Sequence, residues 1–177
     1  MPQVSDDPRL TRIMAHRLDD PGAALPFTRR LARENRWTVD FAVRVVREYR
    51  RFCYLAVAAG HPVTPSDEVD QAWHLHLLYS RDYWEEFCPN VLGVALHHGP
   101  TKGGASEGER FDEQYRRTMA SYEAWFGEPP PAAIWPPAEV RFGPRMIGVR
   151  VLSREVWVLP RPWRGWRGIR ASWRRGS

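Results

Sequence analysis

Between Thr38 and Gly60 the residues Phe41, Ala42, Val45, Val46, Tyr49, Phe52, Cys53, Ala56 and Val57 recur at three- and four-residue spacing. That period belongs to an α-helix, and a stripe this broad belongs to a helix packed on several sides at the centre of a core. Thr38 supplies an N-cap and Gly60-His61-Pro62 a stop, so a helix is predicted over residues 39–59. This segment commits the chain to a mainly α fold.

Other segments carry the same signals. Asp7-Pro8 opens a short helix with Leu10, Ile13, Met14 and Leu18 on one face, Asp20-Pro21-Gly22 ends it in a turn, and a second short helix fills out the first thirty-five residues. In Thr64-Pro65-Ser66-Asp67, Thr64 reads as an N-cap, with proline at the first helical position and an acid at the third. The helix that follows is expected to run from Pro65 to about Phe87 and to stop near Cys88-Pro89-Asn90. Ser106 and Glu109 form a capping box ahead of Phe111, Tyr115, Met119, Tyr122 and Trp125, which predicts a helix over 107–126 with Gly127 at its far end. The intervening HHGPTKGGASEGE is glycine-rich but lacks the residue order of a phosphate-binding loop, and reads as a mobile loop.

After Gly127, EPPPAAIWPP forms a polyproline-like spacer able to dock through Ile134 and Trp135. MIGVRVL and VWVLP then alternate as a small β-hairpin would. With 177 residues the chain suffices for one core and an arm. The expected organisation is a single helical domain over residues 1–137, a hairpin extension over 138–160 and a basic tail over 161–177.

Charge is divided unevenly along the chain. Residues 141–177 hold ten arginines against one acid, Glu155, while the rest is net negative. In the tail, Arg161, Arg164, Arg167, Arg170, Arg174 and Arg175 interleave with Trp163, Trp166, Ile169 and Trp173. Such a segment fits an anionic partner, whether nucleic acid, a membrane surface or an acidic protein, and equally fits a solubilising arm. No apolar run approaches the roughly 18 to 20 residues that span a bilayer, and MPQVSDDPRL has neither the basic nor the apolar region of a secretory signal. The expectation is a cytoplasmic protein that is not an integral membrane protein. Cys53 and Cys88, each inside an aromatic-rich helical pattern, read as reduced core thiols.

The chemistry concentrates in VDQAWHLHLLYSRDYW, residues 69–84. On a regular helix Asp70, His74, Leu77 and Arg81 share a stripe, whereas Val69, Trp73, His76, Ser80, Tyr83, Trp84 and Phe87 cover an apolar face beside it. His74 and His76 then stand about 160° to 200° apart around the helix and do not chelate one ion together. Asp70 and His74, four residues apart, are neighbours at the spacing where a carboxylate orients an imidazole or shares a metal with it. His97 and His98 can fold back to supply further nitrogen ligands, since a site of the zinc type needs about three or four converging donors. His76 and His61 are secondary candidates. The plainer alternative is a His74–Asp70 hydrogen bond, a satisfied half-buried His76 and an irregular turn at His97-His98. No HExxH, CxxC, nucleophile elbow or dinucleotide fingerprint names a reaction.

Val69, Asp70, Trp73, His74, His76 and Tyr83, within PSDEVDQAWHLHLLYSRDYWEEFCPNVLG and the LHHGP that follows, carry a resemblance. The segment over roughly residues 27–127 resembles a family of uncharacterised bacterial proteins related to the N-terminal domain of plant glycine-rich domain-containing proteins. The resemblance implies that the Asp and His positions form a site rather than generic core, and implies no particular activity. The expected function is a metal-binding helical domain, with Asp70, His74, His97 and His98 holding a divalent ion such as zinc or iron. In its finer form it is a metalloenzyme acting on a small molecule or peptide. The rival is a non-catalytic interaction module whose basic tail recruits an anionic partner.

Overall fold

The structure is a computed structural model that describes residues 7–99 and 105–143. Among the described residues the chain is mainly helical: α1 (Pro8–Ala15), α2 (Phe27–Asn35), α3 (Val39–Ala58), α4 (Asp67–Leu78), a π-helix (Asp82–Leu92), α5 (Ala105–Phe126) and α6 (Ala138–Arg141). α3 is the central element and packs against α1, α2, α4, α5 and the π-helix. Most of its stripe is buried, with Ala42, Val45, Val46, Tyr49, Phe52 and Cys53 in the core, while Phe41, Ala56 and Val57 are only half-buried and Leu55, outside the stripe, is sealed from solvent. Thr38 caps it through Oγ1, which accepts from the Phe41 N–H. Both cysteines are free thiols in the core.

α1 stops at Ala15, short of the expected end at Asp20-Pro21-Gly22, so Leu18 lies beyond it, and it is held on α3 at both ends. Asp7 caps its N-terminus by accepting from the Arg9 N–H, and the Tyr54 hydroxyl of α3 donates to the same carboxylate at 2.9 Å. At the other end the Arg50 guanidinium donates to the His16 carbonyl at 2.7 Å. A short helix of this kind is unstable alone, so these anchors and the burial of Ile13 fix it in place.

The helix expected over Pro65–Phe87 differs from expectation at three points. Its cap is Ser66, whose Oγ accepts from the Val69 N–H, rather than Thr64. Pro65 stays outside the helix, where its carbonyl accepts two bonds from Arg141 of α6. α4 ends at Tyr79, whose ψ of 56° breaks the winding, and the chain resumes as a π-helix that runs through Pro89 to Leu92. Pro89 forfeits one backbone bond without ending the run, because Phe87, Cys88, Val91 and Leu92 are buried on both sides of it. The π-helix stops at Gly93, whose φ of 78° is a conformation that a residue with a Cβ adopts only under strain. As a result Ser80 and Trp84, assigned to the apolar face on a straight helix, lie exposed.

α5 starts at Ala105, so Ser106 lies within the helix rather than capping it. The spacer after Gly127 does dock: Ile134 and Trp135 are fully buried, and Glu48 of α3 accepts from Trp135 Nε1 at 3.1 Å and from the Tyr122 hydroxyl at 2.8 Å. The hairpin expected over 138–160 begins instead with the helical turn α6. Its remainder from residue 144, the tail, and residues 100–104 of the glycine-rich stretch lie outside the described residues. No helix among the described residues is long and apolar enough to cross a membrane.

Candidate functional site

α4 carries two histidine–aspartate groups on opposite sides. On one side Asp70, His74 and His98 each offer a ligand atom within 4.8 Å of the others. His98 Nε2 lies 2.8 Å from Asp70 Oδ1, and His74 Nδ1 lies 3.2 Å from Asp70 Oδ2 and 3.0 Å from the Asp70 carbonyl. The two imidazole centroids are 4.3 Å apart. The group is shallow, since the His74 side chain is half exposed.

His98 arrives there through the aromatic residues of the same motif. Trp73 Nε1 donates to the Tyr83 hydroxyl at 2.8 Å, and that hydroxyl donates to the Leu96 carbonyl. This relay ties residues 94–99 back onto α4, and the Trp73 ring meets the His98 ring edge-on at 4.5 Å. His97 takes no part in the group: it is exposed and lies against the Trp84 ring at 5.2 Å. His61 is remote as well, with Nδ1 on the Pro62 carbonyl and Nε2 on Ser121 Oγ.

On the other side His16, His76 and Asp82 form a second group within the same 4.8 Å limit. His76 is completely buried, not half-buried. Its Nε2 lies 2.7 Å from Asp82 Oδ2, its Nδ1 2.8 Å from the Tyr49 hydroxyl, and His16 Nε2 reaches the same carboxylate oxygen at 3.0 Å. Burial pulls the His76 imidazole down to about 4, against the opposing pull of Asp82, so the ring is neutral at physiological pH. Burial pushes the Asp82 carboxyl up, but hydrogen bonds from His16 and His76 outweigh it and hold the group below its ordinary value. His76 and Asp82 line a cleft of about 580 Å³ beside α2, bordered also by Arg17, Asp19, Phe27 and Tyr79.

Asp82 and His16 carried no signal in the sequence. On an unbroken helix, residues 76 and 82 stand about 9 Å apart along the axis and on different faces. Only the break at Tyr79 brings them together, and His16 comes from an element sixty residues away.

Fold and site thus define a helical domain with imidazole–carboxylate groups on two sides of one helix. The UCP032817-like family model matches residues 27–122, more than half of the chain, and the protein belongs to this family. Glycine-rich domain-containing proteins 1 and 2 of Arabidopsis thaliana are each 26% identical to it over 107 residues, 58% of this chain. The chain spans only 13% and 14% of the length of those two relatives. No solved structure matches the chain significantly.

Proposed function

We propose that the protein is a metal-binding domain in which Asp70, His74 and His98 hold a divalent ion of the zinc or iron type. One observation carries this: a single carboxylate meets imidazoles from two separate segments, on α4 and beyond Gly93, with all three donor atoms within 4.8 Å. Two nitrogen donors and one oxygen donor suit a first-row transition ion better than magnesium or calcium, which favour all-oxygen shells. His97, expected as a fourth ligand, stands against Trp84, so three protein donors leave coordination positions for water or a substrate group. In its finer form the reading is a metalloenzyme that activates such a water towards a small molecule or peptide.

The test is elemental analysis of protein purified without a histidine tag, followed by dialysis against Zn²⁺ or Fe²⁺. Stoichiometric metal that is lost in His98→Ala supports the site. Metal retained in full by His98→Ala and by His74→Ala overturns it. A second reading, an interaction module whose tail recruits an anionic partner, draws on the arginines of residues 141–177.

A further inference from the structure

From the geometry on the opposite side of α4 we infer that His16, His76 and Asp82 form a second, separate site for a divalent transition-metal ion, opening onto the cleft beside α2. It uses none of the residues of the Asp70 centre.

The two nitrogen–oxygen distances fit a shared ion, and the two nitrogens stand within 4.8 Å of each other. Ligand atoms arranged around one ion at about 2 Å stand roughly 3 Å from each other. The two imidazole nitrogens lie 2.7 and 3.0 Å from a single oxygen, Asp82 Oδ2. All three atoms are the Nε2 or Oδ positions that such ions take, and they come from three different elements of the fold. Two histidines and one carboxylate on a single face form the donor set of non-haem iron sites and of open zinc sites.

The surroundings are built to hold these ligands still. A metal-bound histidine is oriented by a hydrogen bond at its other ring nitrogen, and the Tyr49 hydroxyl occupies that place on His76 Nδ1 at 2.8 Å. When Nε2 binds an ion, Nδ1 carries the ring proton and the Tyr49 oxygen changes from donor to acceptor. His16 is fixed through its backbone by Arg50 and through its ring by Phe87, at a centroid distance of 5.0 Å. The π-helix fixes Asp82 in its first turn. By comparison, His74 in the Asp70 centre is half exposed. The second site is therefore the more preorganised of the two.

The cleft supplies the remaining coordination positions. His76 and Asp82 belong to its wall, so an ion held by them borders about 580 Å³ of open space. That space admits water or an oxygen donor of a small molecule, with apolar lining that includes Phe27 and Tyr79 and charged lining that includes Arg17 and Asp19.

The experiment uses the full chain without a tag, stripped with a chelator and titrated with Co²⁺, by visible absorption and by equilibrium dialysis. With both centres present, the wild type takes up one equivalent more than His16→Gln or Asp82→Asn, and one more than His98→Ala. Gln at position 16 keeps a donor to Asp82, and the carbonyl held by Arg50 is backbone, so the fold is retained; circular dichroism of the metal-free variants checks this. If the Asp70 centre alone exists, His98→Ala abolishes uptake while His16→Gln and Asp82→Asn match the wild type, which overturns the inference. If the second site alone exists, the pattern reverses. The wild type provides a readout independent of any variant, because Co²⁺ bound here displaces the His16 and His76 ring-proton resonances far outside the diamagnetic range. Undisplaced resonances at saturating Co²⁺ overturn the inference.

Discussion

The Nε2 of His76 lies 2.7 Å from the Asp82 carboxylate, and its Nδ1 lies 2.8 Å from the Tyr49 hydroxyl. His74, two residues earlier on the same helix, faces the opposite way and is half exposed. The two histidines should therefore respond very differently to truncation. His76→Ala empties a fully buried position and deprives two polar groups of a partner, at a cost of about 2–4 kcal/mol. His74→Ala should cost less than about 1 kcal/mol. Urea denaturation of the two variants checks the contrast, and equal losses would contradict the burial.

The same pair makes stability pH-dependent in the metal-free protein. Folding lowers the His76 value from the ordinary 6.5 to about 4 through burial, so below about 6.5 the unfolded chain binds a proton that the folded chain does not. The stabilisation is complete above that pH and is lost as pH falls towards 4, with a slope of at most about 1.4 kcal/mol per pH unit. The lowered Asp82 value acts in the same direction at still lower pH. Denaturation midpoints between pH 7 and 4, in chelator, should fall for the wild type and change less for His76→Gln. Parallel curves would show that His76 is not the group responsible.

Tyr83→Phe tests how the Asp70 centre is assembled. The substitution removes the acceptor for the buried Trp73 Nε1 and the donor to the Leu96 carbonyl. A stability loss of about 1–3 kcal/mol is expected, together with roughly 10- to 100-fold weaker Co²⁺ binding at Asp70, His74 and His98, since the tie holding His98 is cut. Unchanged affinity with normal stability loss would mean that the relay is structural only.

The central helix, its Thr38 cap, the divergence of His74 from His76 and the adjacency of Asp70 and His74 were all legible in the sequence, because each depends on helical spacing alone. Helical spacing also misled where the helix breaks. Tyr79, an ordinary tyrosine with no proline or glycine beside it, carries the break, so nothing in the sequence brings Asp82 to His76. Pro89 looked like a stop, yet the π-helix runs through it on the strength of buried side chains either side. His16 reaches its partners only by tertiary packing of α1 on α3, a relationship that local pattern does not encode. Trp73 and Tyr83 were legible as motif residues but not as the relay that positions His98.

Glu48 offers a test of the core that is independent of both metal readings. This carboxylate is 4% exposed, accepts from Tyr122 and Trp135, and lies 3.6 Å from the Arg51 guanidinium. Glu48→Ala leaves a buried indole N–H and a buried hydroxyl without their acceptor and should cost about 3–5 kcal/mol. Glu48→Gln keeps an acceptor oxygen and should cost less than half as much. Equal effects would mean that the negative charge, rather than the acceptor, holds the proline-rich segment in place.

The tail is expected to supply affinity for polyanions that the helical domain lacks. Residues 1–140 are net negative, while residues 141–177 hold ten arginines and one acid, and removing residues 160–177 takes away six of those arginines. Binding to anionic lipid vesicles or to nucleic acid should fall sharply on that truncation. In the intact chain it should also weaken steeply with salt, as screening and counterion release require. Tryptophan emission separates the two surfaces, because insertion into lipid shifts it to the blue whereas stacking on bases mainly quenches it. Equal binding by the intact and truncated chains at low salt would remove the tail as a binding element. It would leave the histidine–aspartate groups of α4 as the functional surface to pursue.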